Sequence, residues 1–484
     1  VLISSASDLD AIAVLAVAQG ARLELAPALL EAVREQRSAM LASLDGRAVY
    51  GVNTGMGAQS KVRLTAAGQS LHQNNLLLAR AVAGPPWLAA DAVRALLAVR
   101  VRNFLMGDAG VSAELVALLV KFLDAGLLPA VPASGSGSAG EIIPLAHAFG
   151  PLIGVGSVLD EDGAALDAAP ALAGHGVTAL DLGPKEGVAL LQGIPGTTAQ
   201  AILVADQVRR LAEWSQVVLA LSTVAASAPQ DVYLSALARG DHDLAEVHAG
   251  LQQLLAGSDP SSRSLQAPVS FRVAAATLAH LRRSVSGVEL AVERALAGVT
   301  DSPAFIDGGF HATAGFHGLD LAAHLDAVSV ALVHAAEVSA ARTHRLLDAA
   351  VTGLPAQLAG RPGSDTGLVA VHKRAAAAVH QLRRSAVSSV IGSMETSFGQ
   401  EDVQTFAWEA AANTRTAFEG AAEVLACELL TAYQATTLRR RETGPRLTAA
   451  LRAVADLVPP INRDRPFGRD IEALRALMRE LPAF

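Results

Sequence analysis

The chain has 484 residues and a formal net charge of −8, with 51% apolar, 17% charged and only 4% aromatic residues. That balance argues against nucleic acid as a partner, and the short Arg439-Arg440-Arg441 run does not override it. A single cysteine, Cys427, excludes an internal disulfide and suits a reducing cytosol; its apolar surroundings read as a buried thiol rather than a nucleophile. Ala, Leu and Val supply most of the apolar content, which predicts a mainly α-helical protein. No uncharged apolar run is read as long enough to span a membrane, and Asp8 and Asp10 come too early for a leader, so a soluble, cytoplasmic chain is expected. The low charge also predicts surface buried between subunits.

In chain order, apolar spacing predicts helices over Ala11–Ala18 and Ala28–Leu44. Three glycines and an asparagine surround Tyr50 in Val49–Gly57, which reads as a mobile loop. Helices follow over Ala89–Leu105 and Val111–Leu123, leading into the Gly/Ser-rich turn Val131–Glu141. Side chains so small leave the backbone free to turn tightly, presenting bare N–H groups to a ligand. The Gly154–Gly174 stretch reads as loops or a small hairpin. A helix is expected from Thr197 to about Ser227, a helix pair over Ala228–Leu255, and a turn at Ser258–Arg263. Long helices without proline are expected over Leu278–Ala297, Asp320–Leu346 and Gly367–Ser393, then from Trp408 to about Arg441, before a short C-terminal pair. The expected division is an N-terminal lobe, 1–196, carrying the loop and the turn, and a long-helix bundle, 197–484.

The 13 histidines are scattered; His311 and His317 come nearest to metal-ligand spacing, and that signal is weak, so no metal is expected. The glycines of the Gly/Ser turn follow a helix and lack a downstream lysine, so they do not read as a phosphate loop.

Several blocks resemble one family in the right order. Tyr50-Gly51-Val52-Asn53-Thr54-Gly55-Met56-Gly57, Gly135-Ser136 with Pro144-Leu145-Ala146-His147, and Thr396-Ser397 with Gln400-Glu401-Asp402 are similar to blocks of the histidine, phenylalanine and tyrosine ammonia-lyases and their aminomutase relatives. Gln266 with Ser270 and Arg272, and Gly315-Phe316-His317, add to the resemblance, which runs from about Val49 to Trp408. That family cyclises Ala-Ser-Gly into a methylidene-imidazolone (MIO) electrophile. Here Ser138-Ala139-Gly140-Glu141 is one residue short of the family wording, with Glu141 in place of its aspartate. Either the chain lacks the serine and the group, or a serine altered by cyclisation is missing from the sequence between Ala139 and Gly140. The second restores the whole pattern. The literal Ala133-Ser134-Gly135 is out of register.

The resemblance implies a long central helix bundle of the ammonia-lyase (fumarase/aspartase-like) type and a homotetramer with shared active sites. It implies a small-molecule α-amino acid as substrate, Tyr50 as general base, MIO at Ala139 and Gly140, and Glu401 at the amine. Glu401 could equally belong to a helix-capping cluster with Asp402. Substrate contacts are implied at Arg272, which would hold the carboxylate, and at Arg80, Gln192, Gly57, Phe316 and Gln400. Arg80 stands where the family commonly has histidine, and would suit an acidic or hydrogen-bond-accepting side chain unless it faces solvent or pairs structurally. Gln192 replaces an asparagine, Val269 a tyrosine, and His317 reads first as a structural imidazole. The implied reaction is ammonia elimination to an α,β-unsaturated acid. A 2,3-aminomutase and a catalytically silent scaffold are the alternatives, and a helical lyase without MIO ranks last because its Gly-Ser-Ser loop is not seen.

Overall fold

The computed structural model describes residues 1–44, 46–480 and 483. Short polar residues ahead of apolar runs start several of its helices. Asp10 Oδ1 accepts the Ala13 N–H at the head of α1 (Ala11–Ala18). Helix α2 (Pro27–Ala42) begins on proline, whose missing N–H costs nothing there. Thr65 caps α3 (Ala66–Leu78), and Ser112 caps α5 (Ala113–Ala125), which stops at Gly126 in the left-handed region at φ 68°. Between these two, α4 (Ala90–Leu105) is buried on nearly every face from Ala92 to Phe104, as a core helix must be.

Three small sheets complete this region. β1 (Leu2–Ile3) pairs parallel with β2 (Glu24–Leu25). β3 (Leu128–Pro129), β4 (Ser157–Leu159) and β5 (Ala165–Asp167) form an antiparallel set; β6 (Ala304–Ile306) and β7 (Gly309–His311) form a hairpin. The hairpin expected within Gly154–Gly174 is therefore present, but its last residues form a helix, α7 (Ala168–Gly174), after α6 (Ile142–Phe149).

Helix α8 (Glu186–Leu191) is short and wholly buried. At Gly187 a Cβ would come within 2.2 Å of the Gln73 carbonyl oxygen, so only glycine lets α8 lie against α3. Then come α9 (Pro195–Ala226), α10 (His242–Leu255), α11 (Val269–Arg272), α12 (Ala274–Ala297), α13 (Leu319–Leu346) and α14 (Ala349–Thr352). The last four are α15 (Val369–Leu382), α16 (Ala407–Arg439), α17 (Pro445–Leu457) and α18 (Gly468–Glu480). The protein is mainly helical, as its composition predicts.

Two expected helices are shorter than the sequence suggested. The segment expected over Gly367–Ser393 is helical only to Leu382, followed by a 3-10 turn at Arg383–Ala386. Beyond it, Val387 is extended, and Ser388, Ser389 and Gly392 at φ 92° favour turns over helix. The pair expected over Ala228–Leu255 is two 3-10 turns and one helix, because Pro229 and Gly240 interrupt the run and Asp241 caps a fresh start.

The membrane expectation also needs correction. Two helical stretches, Glu186–Ala226 and Gly315–Leu346, are long and apolar enough to cross a bilayer. Their most apolar windows are 89% and 61% buried within the protein, which is how core helices of this composition behave.

The chain packs into two compact units. The first comprises Val1–Leu203, Val288–Leu325 and Ser388–Ala412; the second comprises Val204–Gly287, Asp326–Val387 and Asn413–Phe484. Within the second, Glu428 of α16 is fully buried and accepts two hydrogen bonds from the Arg342 guanidinium, at 2.6 and 2.7 Å. Ser222 and Ser339 hydroxyls satisfy its remaining lone pairs. Cys427, next to it in sequence, is buried, and burial pushes its thiol up to about 12, so it is inert as a nucleophile.

Candidate active site

The site lies in the first unit and starts from the Gly/Ser-rich turn. Its backbone is held rather than free. Gly135 and Ser136 N–H groups donate to Glu409 Oε1 at 3.2 and 2.8 Å, and the Ser136 hydroxyl donates to Oε2 at 2.9 Å. The Ala139 N–H donates to Glu401 Oε2 at 3.0 Å. These amides, expected to face a ligand, are thus taken by the chain's own carboxylates. Ser138 closes the turn, its hydroxyl donating to the Gly140 carbonyl at 2.9 Å.

Glu141 anchors the other end. It is buried, and its carboxyl accepts the Gly196 and Thr197 N–H groups at 2.8 and 2.6 Å, at the start of α9. Burial pushes this carboxyl up to about 7, against the opposing pull of those hydrogen bonds and Arg100. Between about 4.5 and 7 the folded protein therefore holds a proton that the unfolded chain has released. This contribution to stability is complete below the ordinary glutamate value and is lost as pH rises through about 7. Glu141→Gln is expected to gain stability relative to wild type, by about 2 kcal/mol, between pH 5 and pH 8. Urea unfolding at the two pH values checks this, and an equal difference at both would refute the proton linkage.

The Tyr50 loop is packed, contrary to the mobile loop expected. Gly51, Val52, Asn53 and Thr54 are buried, and the Asn53 side chain bridges the Val49 N–H and the Arg47 carbonyl. Gly57 folds back so that its N–H donates to Tyr50 Oη at 2.8 Å. The asparagine and glycines that suggested mobility instead supply the internal bonds and the turns.

Tyr50, Met56, Ala139, Gly140, Ile142, Gln192, Phe316, Gln400 and Glu401 line one cavity of about 400 Å³, together with Ser302, Pro303, Ala312 and Thr313. A second, of about 620 Å³, shares Tyr50, Met56, Ile142 and Glu401 with it and adds Gly57, His72, Arg80 and the Thr396–Phe398 turn. Nine of the ten residues singled out from the sequence therefore line these adjoining spaces. Arg272 does not. It is exposed in the second unit, where its guanidinium donates to Gln266 Oε1 at 3.1 Å.

A buried charged layer that the sequence did not reveal supports Gln192. Arg100 of α4 is fully enclosed and donates to the Gln192 carbonyl at 2.7 Å and the Leu190 carbonyl at 3.3 Å. Burial lowers its guanidinium to about 10. Lys185 pairs with Asp301, and Asp108 nearby is raised to about 6 by burial and by the Asp301 charge. Only the apolar context of Val99–Val101 around Arg100 hinted at an inward-facing cation.

Residues 9–456 match the family model described as aromatic amino acid lyase. The chain belongs to this family. Its family makes it a carbon–nitrogen lyase. The chain is similar to a histidine ammonia-lyase of Anaeromyxobacter dehalogenans, with 34% identity over 96% of each chain. It is also 32% identical to that of Geobacillus thermodenitrificans, over 93% of this chain and 92% of the relative. The solved tyrosine aminomutase of Streptomyces globisporus superposes with a TM-score of 0.93 at 26% identity, covering 98% of this chain and 96% of that one. These likenesses bear out the mainly helical ammonia-lyase fold.

The aromatic amino acid lyases use MIO, a group made from their own backbone. In this lyase the surroundings of Ala139 and Gly140 suit a small ring. Both residues front the cavity, and a Cβ on Gly140 would already lie 3.4 Å from the Phe316 carbonyl oxygen. The residue count does not suit it. Ala139 and Gly140 are joined directly, so the sequence supplies no serine β-carbon between them to become the methylidene.

Proposed function

We propose that this cavity takes an α-amino acid and releases ammonia to leave an α,β-unsaturated acid. The observation that carries the reading is the meeting of a tyrosine hydroxyl, a carboxylate and the Ala139–Gly140 backbone around one cavity. In the proposed reaction the β-proton passes to Tyr50 Oη, the C–H electron pair becomes the Cα–Cβ double bond, and the Cα–N pair leaves with the nitrogen. Geometry favours this role for Tyr50: the Gly57 N–H donates to its oxygen, and the Arg80 charge lies close enough to act on both Tyr50 and Glu401. An ordinary phenol ionises near about 10, so a tyrosine base needs such donors and cations.

Glu401 receives the amine side of the substrate, and Gln192, Phe316 and Gln400 confine it. Arg272, exposed in its own chain, holds the α-carboxylate in a neighbouring copy's site, a planar guanidinium matching the two oxygens. A homotetramer with shared sites is accordingly part of the proposal. Full exposure of Leu265 and near-full exposure of Phe398, at 100% and 96%, supports burial of these surfaces between copies. A cytoplasmic location fits the one buried, reduced cysteine.

The MIO group belongs at Ala139 and Gly140, where it would supply the electrophile that makes the amine a better leaving group. Its presence requires one serine more than the sequence shows. The deciding experiment is a peptide mass across Val131–Leu145 set against the coding DNA. A coded serine with the mass of two waters missing is the expected result. Neither the serine nor the deficit would leave a scaffold without its electrophile, and the elimination reading would fall. A 2,3-aminomutase, favoured by the likeness to tyrosine aminomutase, differs only in returning the amine to the β-carbon; product analysis separates the two.

A further inference from the structure

Arg80 sits just past the end of α3, half-buried, on the wall of the larger cavity. Among the described residues its guanidinium makes one long hydrogen bond, from Nη1 to the Leu76 carbonyl at 3.3 Å, which leaves four of its five N–H donors without an acceptor there. Among the described residues no carboxylate lies within ion-pair distance of it. The acidic group whose charge acts most on it, Glu401, is held by its own chain: Oε2 accepts from the Ala139 N–H and the Thr396 hydroxyl, and Oε1 from the Ser397 hydroxyl. A cation taken partly out of water without a partner is costly, and chains seldom keep one unless something else supplies the anion.

A second observation comes from the same wall. His72 of α3 lines the same cavity as Arg80, and its Nε2 is shielded from solvent with no hydrogen-bond partner among the described residues. Burial, and after it the Arg80 charge, lower its pKa, which favours the uncharged ring that can offer a hydrogen bond without adding charge. Asn75 lines the space beside them. The wall thus presents unspent donors at one end and, across the shared residues Tyr50 and Glu401, the reacting cavity at the other.

We infer that this lyase takes an amino acid whose side chain ends in an anionic group, received by Arg80 with His72 beside it. The inference rests on the proposed reading of the adjoining cavity as the place where an amino acid reacts. A carboxylate on Arg80 could otherwise be the α-carboxylate, and the test separates these two sources.

Calorimetric binding of trans-cinnamate and of trans-4-carboxycinnamate to the full-length protein decides it, because both are unsaturated acids of one skeleton and only the second carries a distal carboxylate. Neither measurement needs turnover. The diacid is expected to bind at least about tenfold more tightly, the order of one charge-assisted contact. Arg80→Met is expected to abolish that preference by costing the diacid at least about tenfold more affinity than it costs cinnamate, and Arg80→Lys to retain part of it. An equal loss for both acids in Arg80→Met would assign Arg80 to the α-carboxylate and overturn the inference. No preference in wild type would overturn it too. Failure of both acids to bind the wild-type protein would instead remove the reading of the cavity itself. Circular dichroism of the two variants shows whether they are folded.

Discussion

Tyr50→Phe is expected to lower the rate of ammonia release by about 10²–10⁴-fold, the range that a positioned general base contributes. The substitution deletes one oxygen and keeps the ring that lines both cavities. It also strips the Gly57 N–H of its acceptor, so a modest loss of stability accompanies the loss of rate. Binding of an unsaturated acid should change little, because the aromatic wall persists. Rate and binding measured on one preparation distinguish the outcomes. A rate within a few-fold of wild type would remove Tyr50 from the proton transfer; a parallel collapse of rate and binding would make it a structural residue.

The largest stability effect is expected in the second unit. Glu428→Ala leaves Arg342 buried and charged with no counter-ion, and removes the acceptor of Ser222 and Ser339. Breaking one side of a buried, hydrogen-bonded pair costs about 3–5 kcal/mol. Replacing both partners with apolar residues, Arg342→Met with Glu428→Leu, should recover most of that loss, because the bare charge rather than the missing attraction is the dominant cost. Urea unfolding of wild type and the two variants is the measurement. If the double variant is as unstable as the single one, the serines and not the charge carry the effect.

Much of the site was legible because it is written in short, local blocks. Tyr50 to Gly57 and Gln400 to Glu401 stand in contiguous wording, and both ends of the Gly/Ser turn are fixed by matching anchors. Helices such as α4 and α5 were legible because apolar spacing and a capping serine act over a few residues. What escaped is non-local. Nothing near Glu409 indicates that it will clamp Gly135 and Ser136, and nothing near Arg100 indicates that it will support the Gln192 backbone. Absence of proline alone does not carry a helix from α15 to Ser393: the serines and a left-handed glycine beyond Leu382 keep the chain from resuming one. Val49–Gly57 is packed for a related reason: composition reports conformational freedom of the isolated segment, not the bonds that later consume it. Arg272 was identified as a residue type, but the space it serves is not given by its own segment.

The two carboxylates that hold the Gly/Ser turn come 262 and 273 positions after the amides they bind. A ribosome adding about 5–20 residues per second therefore extends the chain for roughly 13–52 s after Ala139 before Glu401 is made. During that interval the turn is only a flexible, small-residue segment, with the entropy of closing a very long loop still against it. Its final shape is consequently among the last features of the protein to be set. Any event that needs the turn in its final shape must wait for those two carboxylates.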